Sequence, residues 1–115
     1  MSSELLPKVL LDQVAQRFKV LSEPIRLELL NQLMVNGEMT VTALVDAVGQ
    51  QQANTSKHLA MMAREGIVSR RKDGLKVFYK IADPTIHGLC TLVCGRLREE
   101  ASIQQRIMEA IEEFS

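Results

Sequence analysis

The chain has no tryptophan, one tyrosine and three phenylalanines among its 115 residues. Readers of RNA and single strands stack bases on aromatic rings, so this scarcity argues against that class and leaves duplex as the expected form of any bound nucleic acid. Cysteine is scarce too. Cys90 and Cys94 are too few and too close together for a secreted disulfide framework, which predicts reduced thiols. No apolar run approaches the roughly 18 residues that span a bilayer, so no membrane partner is expected. The opening Met1-Ser-Ser-Glu4 places an acid where a secretory leader carries positive charge, and a soluble, cytoplasmic protein is expected. There is also no phosphate-cradling glycine loop, nucleophile elbow or paired-carboxylate site, and an enzyme is therefore not expected. Net charge is zero, 14 basic residues cancelling 14 acidic ones. Length and a 46% apolar content suit a single domain over residues 1–115.

What is present is a succession of helical periodicities. Leu10, Leu11, Val14, Phe18 and Leu21 recur at helical spacing and predict a first helix over 8–21, with Pro7 in its first turn. Ser22 reads as the cap of a second helix carrying Ile25, Leu27, Leu29, Leu30, Leu33 and Met34, which Asn36-Gly37 ends. Thr40 caps a short third helix holding Val41, Leu44, Val45 and Val48, closed by Gly49. The fourth helix is unusual: its first turns are amide, hydroxyl and basic residues from Gln50 to His58, and only its second half, Leu59, Met61 and Met62, looks like core. After Gly66 the period becomes two, and Asp73-Gly74 between two such runs signals a hairpin. Asp83-Pro84 opens a last helix over 84–113, too long to bury its apolar residues within so small a domain.

Three helices, a glycine turn, a polar-fronted helix and a basic hairpin are the order of a winged helix-turn-helix, mainly α with a small β-hairpin wing. The helix-turn-helix spans 40–66 and the wing 67–81. Gln52 and Asn54 can present donor and acceptor together to base edges, Thr55 a methyl or hydroxyl, and His58 a ring nitrogen, with Gln51 beside them in the DNA-binding set. Ser56 and Lys57 suit phosphates. A helix cap needs one or two such residues, not a run of them. Charge is also local: Gln50 to Lys80 holds seven basic residues against two acidic ones, an excess of +5 that the rest of the chain offsets. Arg70, Arg71, Lys72 and Lys76 surround the hairpin tip, where they can follow phosphate beside the groove. The competing reading is a winged-helix module that binds proteins; a neutral or acidic hairpin tip would mark it, and this chain lacks one.

Four stretches resemble the motif series of the arsenical-resistance and metallothionein-repressor (ArsR/SmtB) family. They are Leu21-Ser22-Glu23-Pro24-Ile25-Arg26-Leu27, Gln52-Ala53-Asn54-Thr55-Ser56-Lys57-His58-Leu59, Arg64-Glu65-Gly66-Ile67-Val68, and the run from Arg71 to Tyr79. Together they cover most of the chain in the family's order. The resemblance implies a homodimer joined through the first and last helices of five, which represses by binding an operator and lets go when a metal, metalloid or oxidant alters the dimer. Two reading heads on a dyad imply an imperfect palindrome of double-stranded DNA. A family regulator that answers to no small molecule is the alternative.

The family's signal sites transfer unevenly. Arsenic-binding cysteines on the third helix have no counterpart between Val41 and Val48, and a zinc site on the last helix is incomplete because no histidine follows His87. Cys90 and Cys94 remain, one turn apart, with His87 nearby. As a sensor they would take a thiophilic ion such as As(III), Cd(II) or Cu(I), or an oxidant or reactive sulfur species; otherwise both are small core residues of the dimer interface. A disulfide between them is unfavourable, since Cβ atoms at i and i+4 lie about 5–6 Å apart and the bond needs about 3.5–4.5 Å. No cofactor is otherwise implied.

Overall fold

The structure, a computed structural model, describes residues 4–114. Five helices, α1 (Lys8–Leu21), α2 (Pro24–Asn36), α3 (Val41–Val48), α4 (Gln52–Arg64) and α5 (Thr85–Glu113), combine with three short strands, β1 (Met39–Thr40), β2 (Val68–Asp73) and β3 (Lys76–Ile81). The chain divides into two compact units, the second beginning at Pro84 and holding α5.

Local chemistry places the element boundaries of the first unit. Pro24 starts α2, where its missing N–H costs no helical bond, and Glu23 stands at the N-cap. Ser22 belongs to the preceding helix instead: its hydroxyl and its N–H both donate to the Lys19 carbonyl, closing α1. That corrects its expected role as the cap of the second helix. Thr40 caps α3 as expected, its Oγ1 accepting from the Ala43 N–H at 3.1 Å. Gly49 ends α3 in the left-handed region at φ 69°, which a side chain would strain, and thereby makes the turn into α4.

Leu29, Leu30 and Leu33 of α2, Leu44 of α3, Leu59 and Met62 of α4, and Ile67, Val68 and Tyr79 of the sheet region are all buried. Each such aliphatic side chain stabilises the unit by about 1.5–3 kcal/mol relative to exposure. The sheet has the order β1-β3-β2 and is antiparallel throughout. The sequence reading missed β1, two residues too short to show a period, which pair with Tyr79 and Phe78. In the hairpin, Asp73 faces Lys76, so the corner residues are Gly74 and Leu75 rather than Asp73 and Gly74. Gly74 at φ 63° occupies the first corner position, where a type II′ turn requires glycine.

Large apolar side chains stay exposed on two helices. On α1 these include Val9, Leu11 and Phe18; on α5 they include Val93, Leu97, Ile107 and Ile111, each about half exposed. No described helix is long and apolar enough to cross a membrane.

Candidate nucleic-acid interface

The helical period sorts the polar front of α4 into three stripes. Thr55, Leu59 and Met62 fall on the core side and are buried. Gln52, Ser56 and Ala60, four residues apart, line a cleft of about 570 Å³ together with the start of α3 and the wing. Ala53, Asn54 and Lys57 are exposed on the outer face, as is Gln51 at the N-cap. The structure therefore brings Gln52 and Ser56 toward the wing and leaves Gln51, Asn54 and Lys57 free to solvent. It places Thr55 elsewhere: the side chain is fully buried, and its Oγ1 is the one buried side-chain nitrogen or oxygen without a hydrogen-bond partner among the described residues. His58 is largely buried as well, its side chain 12% exposed and its Nδ1 accepting from Arg26 Nε at 3.1 Å.

Across the cleft stand Arg70, Lys76, Val77 and Tyr79 of the wing and Thr40, Val41 and Thr42 at the head of α3, with no carboxylate in the lining. Arg70, Lys72 and Lys76 make no ion pair among the described residues. Arg71, expected as an equivalent phosphate ligand, is engaged by its own chain. Its Nη2 and Nε donate to the two Glu38 oxygens at 2.6 and 3.2 Å, Asp73 lies 3.7 Å away, and the guanidinium sits 4.4 Å from the centre of the Phe78 ring. The bidentate bond holds the Glu38 carboxyl below its ordinary value, and Glu38 in turn raises Arg71. Glu38 thus ties the bend just before β1 to the far strand of the wing. The sequence reading missed it, because 33 residues separate the pair and no local pattern marks it.

On α5, Cys90 is partly buried and Cys94 exposed, both as free thiols. Burial pushes the Cys90 thiol up, with Cys94 adding to the effect. His87 is exposed one turn earlier. Among the described residues no three His, Cys, Asp or Glu side chains are grouped so as to hold a metal ion.

A short helix, a left-handed glycine turn, a polar-faced helix and a basic hairpin define the winged helix-turn-helix class. Residues 23–70 match the family described as bacterial regulatory protein, arsR family. The chain is 38% identical over 81 residues to a probable mercury resistance operon repressor of Streptomyces lividans, covering 70% of this chain and 64% of that protein. Its fold is similar to that of the homodimeric winged helix-turn-helix DNA-binding domain of Mb0332 from Mycobacterium bovis, a possible ArsR-family transcriptional regulator. The TM-score there is 0.70 at 33% identity, over 86% of this chain and 92% of that one. It is also similar to the AntR antimony-specific transcriptional repressor, with a TM-score of 0.80 at 28% identity over 89% and 92% of the two chains. The chain belongs to the ArsR family of transcriptional regulators.

Proposed function

We propose that this protein is a homodimeric repressor that seats the front of α4 in the major groove of an imperfectly palindromic operator and releases it when an inducer acts at Cys90 and Cys94. The observation that carries the DNA reading is the acid-free cleft between α4 and the wing, flanked by the exposed Gln51, Asn54 and Lys57. Gln52 and Asn54 supply paired donors and acceptors for base edges. Ser56, Lys57, Arg70, Lys72 and Lys76 supply phosphate contacts, and Arg71 serves mainly to fix the wing. The apolar residues exposed on α1 and those exposed on α5 support dimerisation, since a second copy would cover them. The probable mercury resistance operon repressor and the antimony-specific transcriptional repressor to which the chain is similar support a thiophilic inducer.

Chemistry favours a soft ion over an oxidant at the thiols. An oxidant-sensing cysteine needs a low pKa, whereas burial raises that of Cys90; a soft ion displaces the proton on ligation. Two thiols one turn apart leave such an ion short of a third ligand, which a second copy would provide.

A mobility-shift titration over a range of salt tests the DNA reading. Lys57→Glu with Arg70→Glu is expected to weaken duplex binding and flatten its salt dependence; unchanged affinity and slope would refute it. In the same assay Sb(III), As(III) and Cd(II) are expected to release the original protein and not Cys90→Ser/Cys94→Ser. Equal release of both would remove the thiols from the switch.

A further inference from the structure

Arg26 is a buried cation on α2 that no part of the proposed DNA contact uses. Its three donor positions point to three places: Nη1 donates to the Val20 carbonyl at the end of α1 at 3.0 Å, Nη2 lies 3.5 Å from Glu23 Oε1, and Nε donates to His58 Nδ1 at 3.1 Å. The last bond dictates the state of the imidazole. A guanidinium has donors and no acceptor, so the ring nitrogen facing it must be bare, and the proton of the neutral ring must sit on Nε2. A charged ring would lose this bond and set two cations against each other, with the half-exposed Glu23, 3.8 Å from Nδ1, as the compensating carboxylate.

Nε2 has no partner among the described residues, yet the one buried unpartnered side-chain polar atom there is Thr55 Oγ1. The Nε2–H of His58 is therefore not sealed from solvent, on a side chain 12% exposed, and it lies on the helix whose exposed side chains face the DNA in the proposed function.

We infer that Arg26 is a positioning residue which locks His58 as a hydrogen-bond donor toward DNA, so that His58 selects an acceptor, a phosphate oxygen or the N7 or O6 edge of a purine, and rejects a donor. The inference rests on the proposal that α4 meets DNA. It differs from a direct contact by Arg26, whose guanidinium is buried and spoken for, and it turns the two-sided ring nitrogen expected from the sequence into a one-sided one.

Two substitutions separate the two ends of the ring. Asparagine places its amide near the position of Nδ1, and glutamine reaches that of Nε2. His58→Asn keeps a partner for Arg26 and loses the donor to DNA; its melting temperature is expected to stay close to the original while affinity falls about tenfold or more. His58→Gln keeps the donor and loses Arg26; affinity is expected within about threefold of the original with a lower melting temperature. The probes are a duplex selected by the original protein from a random pool and a scrambled duplex of equal length. A loss on both assigns a phosphate acceptor, and a loss on the selected duplex alone assigns a base.

Nitrogen-15 spectra of the histidine rings in the DNA-free protein are expected to show Nε2 protonated and Nδ1 bare in neutral His58, and a mixture of both forms in Arg26→Met. A proton on Nδ1 in the original protein overturns the inference, and so does parallel loss of stability and affinity in both His58 variants. Failure of the original protein to bind any duplex would overturn the DNA reading itself and this one with it. Retained affinity in His58→Asn beside normal binding by the original overturns this one alone.

Discussion

Replacing Thr55 by valine opposes two readings of the same residue. From the sequence, Thr55 lies in the polar front of the recognition helix and is expected to touch bases; in the structure it is fully buried and its Oγ1 has no partner. Its backbone is in order, the N–H donating to the Gln51 carbonyl at 3.0 Å, so the side chain alone is at issue. A buried hydroxyl without a partner carries a desolvation cost of about 1–3 kcal/mol. Valine has nearly the same shape, removes that cost and adds an apolar methyl worth up to about 0.8 kcal/mol. The two residues have similar helix propensities, so the helix itself neither gains nor loses. Thr55→Val is therefore expected to stabilise the fold by at least about 1 kcal/mol. For a chain of 115 residues each kcal/mol corresponds to about 4 °C in melting temperature. Calorimetry at one fixed protein concentration, as a dimer requires, measures the shift, and a mobility-shift titration on the same sample measures DNA affinity. The expected result is a higher melting temperature with affinity within about twofold of the original. A tenfold loss of affinity without a rise in melting temperature would restore Thr55 to the DNA surface and refute the placement of the α4 core stripe.

The wing cations should separate in salt titrations. Arg70→Ala or Lys76→Ala is expected to lower the slope of log affinity against log salt by about 0.9 per protomer, whereas Arg71→Ala, already paired with Glu38, changes the slope far less and lowers thermal stability. Equal slopes for Arg70→Ala and Arg71→Ala would show that DNA takes Arg71 from Glu38. The Glu38 carboxyl has a folded-state pKa below its ordinary 4.5, so its contribution to the wing is complete above 4.5 and is lost as pH falls through the lowered folded value. Amide shifts of β2 are expected to titrate in that acid window and to stop doing so in Glu38→Gln; a midpoint above 4.5 would contradict the clamp. For the thiols, iodoacetamide at about pH 8 is expected to label Cys94 before Cys90, because Cys90 is more buried and that burial raises its pKa and so lowers its thiolate fraction. Peptide mass mapping that found Cys90 labelled first would reverse the assignment.

Much of the architecture was legible because it is written in short-range chemistry. Pro24, Thr40, Gly49 and Gly74 each act on their own backbone or on a neighbour within a few residues, and α1 and α3 fall where the periodicity put them. The polar front of α4 was legible as a run, but composition obscured its faces. Thr55 is in step with Leu59 and Met62 at offsets of four and seven, a period that assigns it to the core, yet its hydroxyl drew it into the base-reading group. The signal was present and was outweighed by residue type.

The pairings that set the charge and polarity of the interface had no such signal. Arg71 and Glu38 are 33 residues apart and Arg26 and His58 are 32 apart, each joining elements that meet only once the helices have packed. A count of charges along the chain treats Arg71 as equal to Arg70 and His58 as free at both nitrogens. In the folded chain one arginine has its counter-ion and the other does not, and one imidazole nitrogen has its donor and the other does not. Both differences come from charged side chains, Glu38 and Arg26, that never need to touch DNA. The residues that determine how this protein would read a duplex therefore include two, Glu38 and Arg26, that lie outside the helix and the hairpin tip from which the reading was first argued.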